Sequence, residues 1–144
     1  MKKVYLPEEK TNIEFKLLTI RKEYGTVVNN IYYVVENHRS FVMEKFRELG
    51  TDERERIIDL ISRMATCKDF KSPIIKNHLK GYDYGEIRPK PSRFFFFHKF
   101  GSNIIFFDYV LKKKDSFNDS FYKNLKKKKD KYEKAFEECH RRNG

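Results

Sequence analysis

Between Arg93 and Leu111 the chain carries Phe94-Phe95-Phe96-Phe97, a break at Gly101-Ser102, and a second apolar stretch, Ile104 to Leu111. Four consecutive phenylalanines on a strand put aromatic rings on both faces, so that strand must be covered on both sides and belongs near the middle of a sheet. Gly101-Ser102 suits a two-residue hairpin turn, because glycine reaches positive φ without strain. Just upstream, Tyr84 to Arg88 reads as an extended segment stopped by Pro89 and Pro91, which fix φ and remove backbone donors.

The first half of the chain supplies the partners for such a sheet. Ile13, Phe15 and Leu17 alternate with Glu14 and Lys16, the period-2 pattern of a strand with one covered face. A break at Glu23-Tyr24-Gly25 turns it back on Thr26 to Glu36, rich in Val, Ile and Tyr, which predicts an N-terminal hairpin. Ser40 is an N-cap for a helix through Val42, Phe46 and Leu49, with Gly50 as its C′ residue. A second helix starts at Thr51 or Asp52, with Asp52 and Glu55 in capping-box positions and an apolar face of Ile57, Ile58, Ile61, Met64 and Ala65. Lys68 to Asp83 reads as a polar loop. From Ser116 to about His140, Phe117, Phe121, Leu125, Tyr132 and Phe136 form an interrupted helical stripe, with Lys126 to Lys129 as a solvated run inside it. The fold expected is α+β: a mostly antiparallel twisted sheet, two helices from the first half packed on it, and a C-terminal helix.

The 144 residues suit one domain, and the charge is uneven along them. Met1 to Cys67 carries 12 Lys/Arg against 11 Asp/Glu, whereas Lys68 to Gly144 carries 20 against 10. That asymmetry points to a polyanionic partner, since each neutralised phosphate releases counterions. Cys67 and Cys139 share no metal-ligand spacing with His38, His78, His98 or His140, so neither a metal nor another cofactor is expected. Apolar runs such as Ile104 to Phe107 are far short of a membrane span, and no signal-peptide pattern opens the chain, so the expected location is cytoplasmic.

Leu79, Tyr84-Gly85-Glu86-Ile87-Arg88, Arg93-Phe94-Phe95-Phe96-Phe97 and Ile104 to Lys113 occur in an order that resembles the RelE/HigB superfamily of toxin–antitoxin toxins, in particular its phage-related HigB-like branch. That branch has a leucine followed by a Glu-Leu-Arg strand, a Tyr-Arg-x-x-Tyr-Phe strand, and a strand closing in Lys-Lys. The resemblance spans roughly Ile31 to Phe136 and departs at Asp108-Tyr109, where the branch often carries His-Gly. It implies a RelE/ParE-like domain over residues 30–140, preceded by an extension over 1–29 that supplies one hairpin strand.

The resemblance further implies a metal-independent, ribosome-dependent mRNA endoribonuclease working in the ribosomal A site. In that chemistry the ribose 2′-hydroxyl attacks the adjacent phosphorus and leaves a 2′,3′-cyclic phosphate. The implied partners are mRNA, the ribosome and a cognate antitoxin of the helix-turn-helix kind. Arg88 and Arg93 are the expected phosphate clamps, because a guanidinium offers a planar bidentate fork. Glu86, on the same strand face as Arg88, is either a general base or, as favoured, the carboxylate that holds Arg88. Lys112 and Lys113 leave the last strand on opposite faces, one toward the active groove. The expected RNA contacts are Lys80, Lys90, Tyr109, Lys114, Lys126 and Lys129. Two other readings compete: a ParE-like toxin of the same fold poisoning DNA gyrase, and a non-catalytic RNA-binding module.

Overall fold

Strands β1 (Ile13–Leu17), β2 (Asn30–Glu36), β3 (Ile75–Lys76), β4 (Gly85–Ile87), β5 (Ser92–Lys99) and β6 (Asn103–Leu111) form one mixed sheet in the order β1-β2-β6-β5-β4-β3. The computed structural model describes residues 12–72, 74–111 and 117–143. Neighbouring strands are antiparallel except β2 and β6, whose parallel register starts at Asn30 opposite Asn103. Helices α1 (Phe41–Glu48) and α2 (Thr51–Thr66) follow β2, and α3 (Asp119–Asn143) follows β6. The chain is therefore an α+β protein with a six-stranded open sheet and three helices among the described residues.

The phenylalanine run behaves as its pattern requires. Phe94 and Phe96 point to the side covered by Val42 of α1 and Ile57, Leu60, Met64 and Ala65 of α2. Phe95 and Phe97 point to the other side, under Leu125, Tyr132 and Phe136 of α3. Each buried phenylalanine contributes roughly 1.5–3 kcal/mol over an exposed one, so four in a row hold β5 at the interior of the sheet. A bulge in β6 leaves Phe107 between the pairs Phe95–Asp108 and Phe96–Phe106. The extra residue turns Phe107 and Asp108 both toward α3, where Asp108 meets Lys128 at 3.0 Å.

The N-terminal hairpin forms as expected, with Ile13 opposite Glu36 and Leu17 opposite Tyr32. Leu18 and Ile20, just beyond β1, pack on the core beneath α1 and α2, so residues 12–29 share one sheet and one core with the remainder of the chain. Ser40 caps α1 as expected, accepting from the Met43 amide at 3.2 Å.

Four local expectations change. Gly50 has φ −66 rather than a left-handed conformation and is the N-cap of α2, with no side-chain cap in place of the expected Asp52–Glu55 box. The polar loop 68–83 contains the two-residue strand β3, which pairs Ile75 with Ile87. The β5–β6 turn has three residues, Phe100-Gly101-Ser102, because Lys99 pairs with Asn103. Lys129 is not solvated: it is 1% exposed and fills the gap between Leu125 and Tyr132 in the α3 stripe. Its stem lies against Phe97, with the ammonium 5.7 Å from the ring centre, and its charge is met by Asp83 and Glu133 at 2.5 and 2.9 Å. The expected helix start at Ser116 lies outside the described residues, and Asn118 accepts from the Phe121 amide at the head of α3. No described helix is long and apolar enough to cross a membrane.

Candidate functional site

Glu86 and Arg93 come to the same face of the sheet by register. Glu86 pairs with Phe95, whose ring faces α3, and Arg93 stands two residues before Phe95 on the same strand. Arg88 follows β4 directly, its amide bound to the Ile74 carbonyl at 2.7 Å. Glu86 Oε1 accepts from Arg88 Nε at 2.7 Å and from Arg93 Nη1 at 3.3 Å. Glu86 is 5% exposed and Arg93 8%. Two guanidinium groups thus share a single carboxylate, and the cluster keeps one net positive charge.

A buried charge without full compensation is expensive. The shortfall is concentrated on Arg93, whose Nε is buried and has no hydrogen-bond partner among the described residues. An anion seated beside Arg93 would balance the cluster and offer an acceptor to the guanidinium.

Tyrosines stand beside these charges. The Tyr84 hydroxyl donates to the Tyr122 carbonyl at 2.9 Å, tying the first turns of α3 to the strand that carries Glu86. Tyr82 stacks on Tyr122 with ring centres 6.0 Å apart. Burial pushes the Tyr122 phenol up, Glu86 adds to the rise, and Arg93 and Arg88 oppose it, so this phenol lies within the field of the cluster. Tyr82 and Tyr122 were not expected from the sequence. The available signal was Tyr122 beside Phe121 at the start of a helix whose apolar stripe faces the sheet.

β3 closes the edge next to the cluster. A Cβ at Gly85 would run into the backbone of Lys76 and Asn77, so glycine is what lets β3 lie so close to β4.

Of the residues expected from sequence, Glu86, Arg88 and Arg93 come together. Lys90 is exposed in the turn between the two arginines, where the Ser92 amide binds the Pro89 carbonyl at 2.9 Å. Lys80 is exposed in the separate turn from Leu79 to Tyr82. Lys112, Lys113 and Lys114 lie outside the described residues; Leu111, just before them, pairs with Ser92 next to Arg93.

Besides Lys80, three expected RNA contacts do not join the cluster. Tyr109 pairs with Phe94 and packs with it toward α1 and α2, the opposite face from Arg93, and meets Ser92 Oγ at 3.0 Å. Lys126 is engaged by Asp83 and Asp130 at 2.9 and 2.8 Å. Lys129 is buried and paired, which removes it from any RNA-facing set. Asp83, Asp130 and Glu133 have the spacing of a cation site, but Lys126 and Lys129 already supply the cations there.

Fold and cluster together define a small α+β protein with a net-positive, largely buried guanidinium–carboxylate site at one end of its sheet. Comparison with family models, with curated proteins and with solved structures found no match to this chain.

Proposed function

We propose that this chain is a toxin of the RelE/HigB type, a metal-independent endoribonuclease that cuts mRNA on the ribosome and is held in check by a cognate antitoxin of the helix-turn-helix kind. Its place of action is the cytoplasm, and its sheet is a variant of the RelE/ParE-like fold. The observation that carries this reading is the convergence of Arg88 and Arg93 on one carboxylate, with the buried Nε of Arg93 unpartnered among the described residues.

In the reaction the 2′-hydroxyl oxygen bonds to the adjacent phosphorus, its proton leaves, the bond to the 5′-oxygen breaks, and that oxygen takes up a proton. The products are a 2′,3′-cyclic phosphate and a 5′-hydroxyl end. Negative charge grows on the non-bridging oxygens as the phosphorane forms, and preorganised guanidinium donors stabilise it most at that point. Glu86 is already bound to both arginines, which suits a positioning role: it fixes the forks before substrate arrives. Lys90 in the connecting turn would meet the flanking phosphates, together with Lys112 to Lys114.

The test is induction in cells with primer-extension mapping of mRNA ends. In-frame cuts that need translation are expected, and Arg93→Ala should lower cleavage about 10²–10³-fold, the usual loss for one transition-state donor. Intact messages in wild-type cells, with or without arrested replication, would overturn the assignment.

A further inference from the structure

At the far end of β5 from Arg93, the β5–β6 turn holds Phe100 at φ 54 and Gly101 at φ 77. Asn, Asp or Gly ordinarily take left-handed places. The β-bridged turn after β2 has side chains suited to that conformation. Asn37 and His38, at φ 52 and 67, are both types that tolerate the left-handed region, and the Glu36–Arg39 bridge closes them. A phenylalanine there carries backbone strain.

Burial does not recover that cost in full, because Phe100 is 55% exposed. What it touches is a ready-made stack. The His140 ring lies 5.1 Å from Phe100 and 4.4 Å from Phe136, which itself sits 6.2 Å from Phe100. The Lys99 ammonium is 5.2 Å from the Phe100 ring centre. The nearby carboxylates, Glu133 and Glu137, are both engaged by Lys99, at 3.4 and 2.6 Å. Arg141 follows His140 on α3, exposed and without a salt bridge among the described residues.

We propose that Phe100, backed by His140, with Arg141 next along α3, is a stacking platform for an unpaired base of single-stranded RNA. A strained, half-exposed ring near an exposed cation matches the way single strands are gripped, with a base on the aromatic face and a phosphate on the cation. The platform lies seven residues along β5 from Arg93, roughly 23 Å at strand rise. It is thus a second contact on the RNA and not part of the cluster where cleavage is proposed, and it stands on the turn's geometry whether or not the chain cleaves.

The experiment uses a fluorescein-labelled single-stranded oligoribonucleotide and an abasic strand of the same length. Phe100→Asn should weaken binding of the base-bearing strand about ten-fold or more. It should leave the melting temperature unchanged or higher, because Asn relieves the left-handed strain, and binding of the abasic strand should not change. The chain contains no tryptophan, so Phe100→Trp installs a single reporter whose fluorescence should be quenched by the base-bearing strand only. Unchanged affinity in Phe100→Asn, an equal loss on the abasic strand, or an unquenched indole in Phe100→Trp would each overturn the platform. Made in the Phe100→Trp background, Arg93→Ala should lower cleavage about 10²–10³-fold and leave the quench intact, so failure of the platform and failure of the nuclease assignment read out separately.

Discussion

Lys129 is the residue where chain and structure disagree most, and its surroundings carry a pH signature. Burial on its own would raise the Asp83 carboxyl, but hydrogen bonds and charge from Lys129 and Lys126 outweigh it and hold the group at about 2 rather than 3.8. A depressed carboxyl stabilises the fold above its unfolded value and loses that contribution as pH falls through the folded one. The contribution of Asp83 is therefore complete above about pH 5, mostly lost by pH 2 and gone below it. Asp83 is half-exposed, so solvent screens the pair and the effect stays modest. Melting curves from pH 6 to 2 should show Asp83→Asn starting below the wild type and converging on it near pH 2. Parallel curves would mean that these lysines do not depend on Asp83. Part of this was visible in the sequence: the helical stripe has a gap between Leu125 and Tyr132, and Glu133 stands four residues after Lys129. A run of four lysines suggests water all the same, because nothing in it tells which one has a carboxylate 46 residues away.

Among the elements, β3 is the shortest and the most consequential for the cluster. It covers the edge of β4, and its backbone approaches Gly85 so closely that no side chain fits there. Gly85→Ala should push β3 off and loosen Glu86, which pairs with Lys76 across the same step. The expected loss is about 1–3 kcal/mol in urea unfolding, the usual cost of forcing one extra carbon into a packed site. A variant as stable as wild type would show that β3 is dispensable. No sequence pattern announces a two-residue strand, since period-2 alternation needs more residues than that. Longer elements were legible for the converse reason. β5 and β6 carry eight and nine residues of apolar pattern, and Ser40 names its helix by its own hydroxyl. Glu86, Arg88 and Arg93 were legible as a group because strand periodicity and one short turn fix their faces. Tyr109 was not, since the β6 bulge lies before it and no single sequence shows which side of a sheet carries the site.

For the whole molecule, the charge asymmetry of the sequence overstates the cation surface. Of the lysines on α3, Lys126, Lys128, Lys129 and Lys131 are paired with Asp83 and Asp130, Asp108, Asp83 and Glu133, and Glu36 respectively. Lys80, Lys90, Lys123, Lys127 and Lys134 make no salt bridge among the described residues and remain as charge a polyanion can use. A lysine already held by two carboxylates releases few counterions on meeting RNA, whereas a free one adds about 0.7 to the slope of log affinity against log salt on a single strand. Lys90→Ala, in the turn between Arg88 and Arg93, should therefore flatten the salt dependence of oligoribonucleotide binding by about 0.7. Lys126→Ala should leave that slope where it was, although both substitutions remove one lysine from the same basic half of the chain. Titrations at several salt concentrations separate the two outcomes. Equal flattening by both variants would mean that the Asp83 and Asp130 pairs open when RNA binds, and that the formal charge of the sequence, rather than the unpaired charge of the fold, governs its affinity.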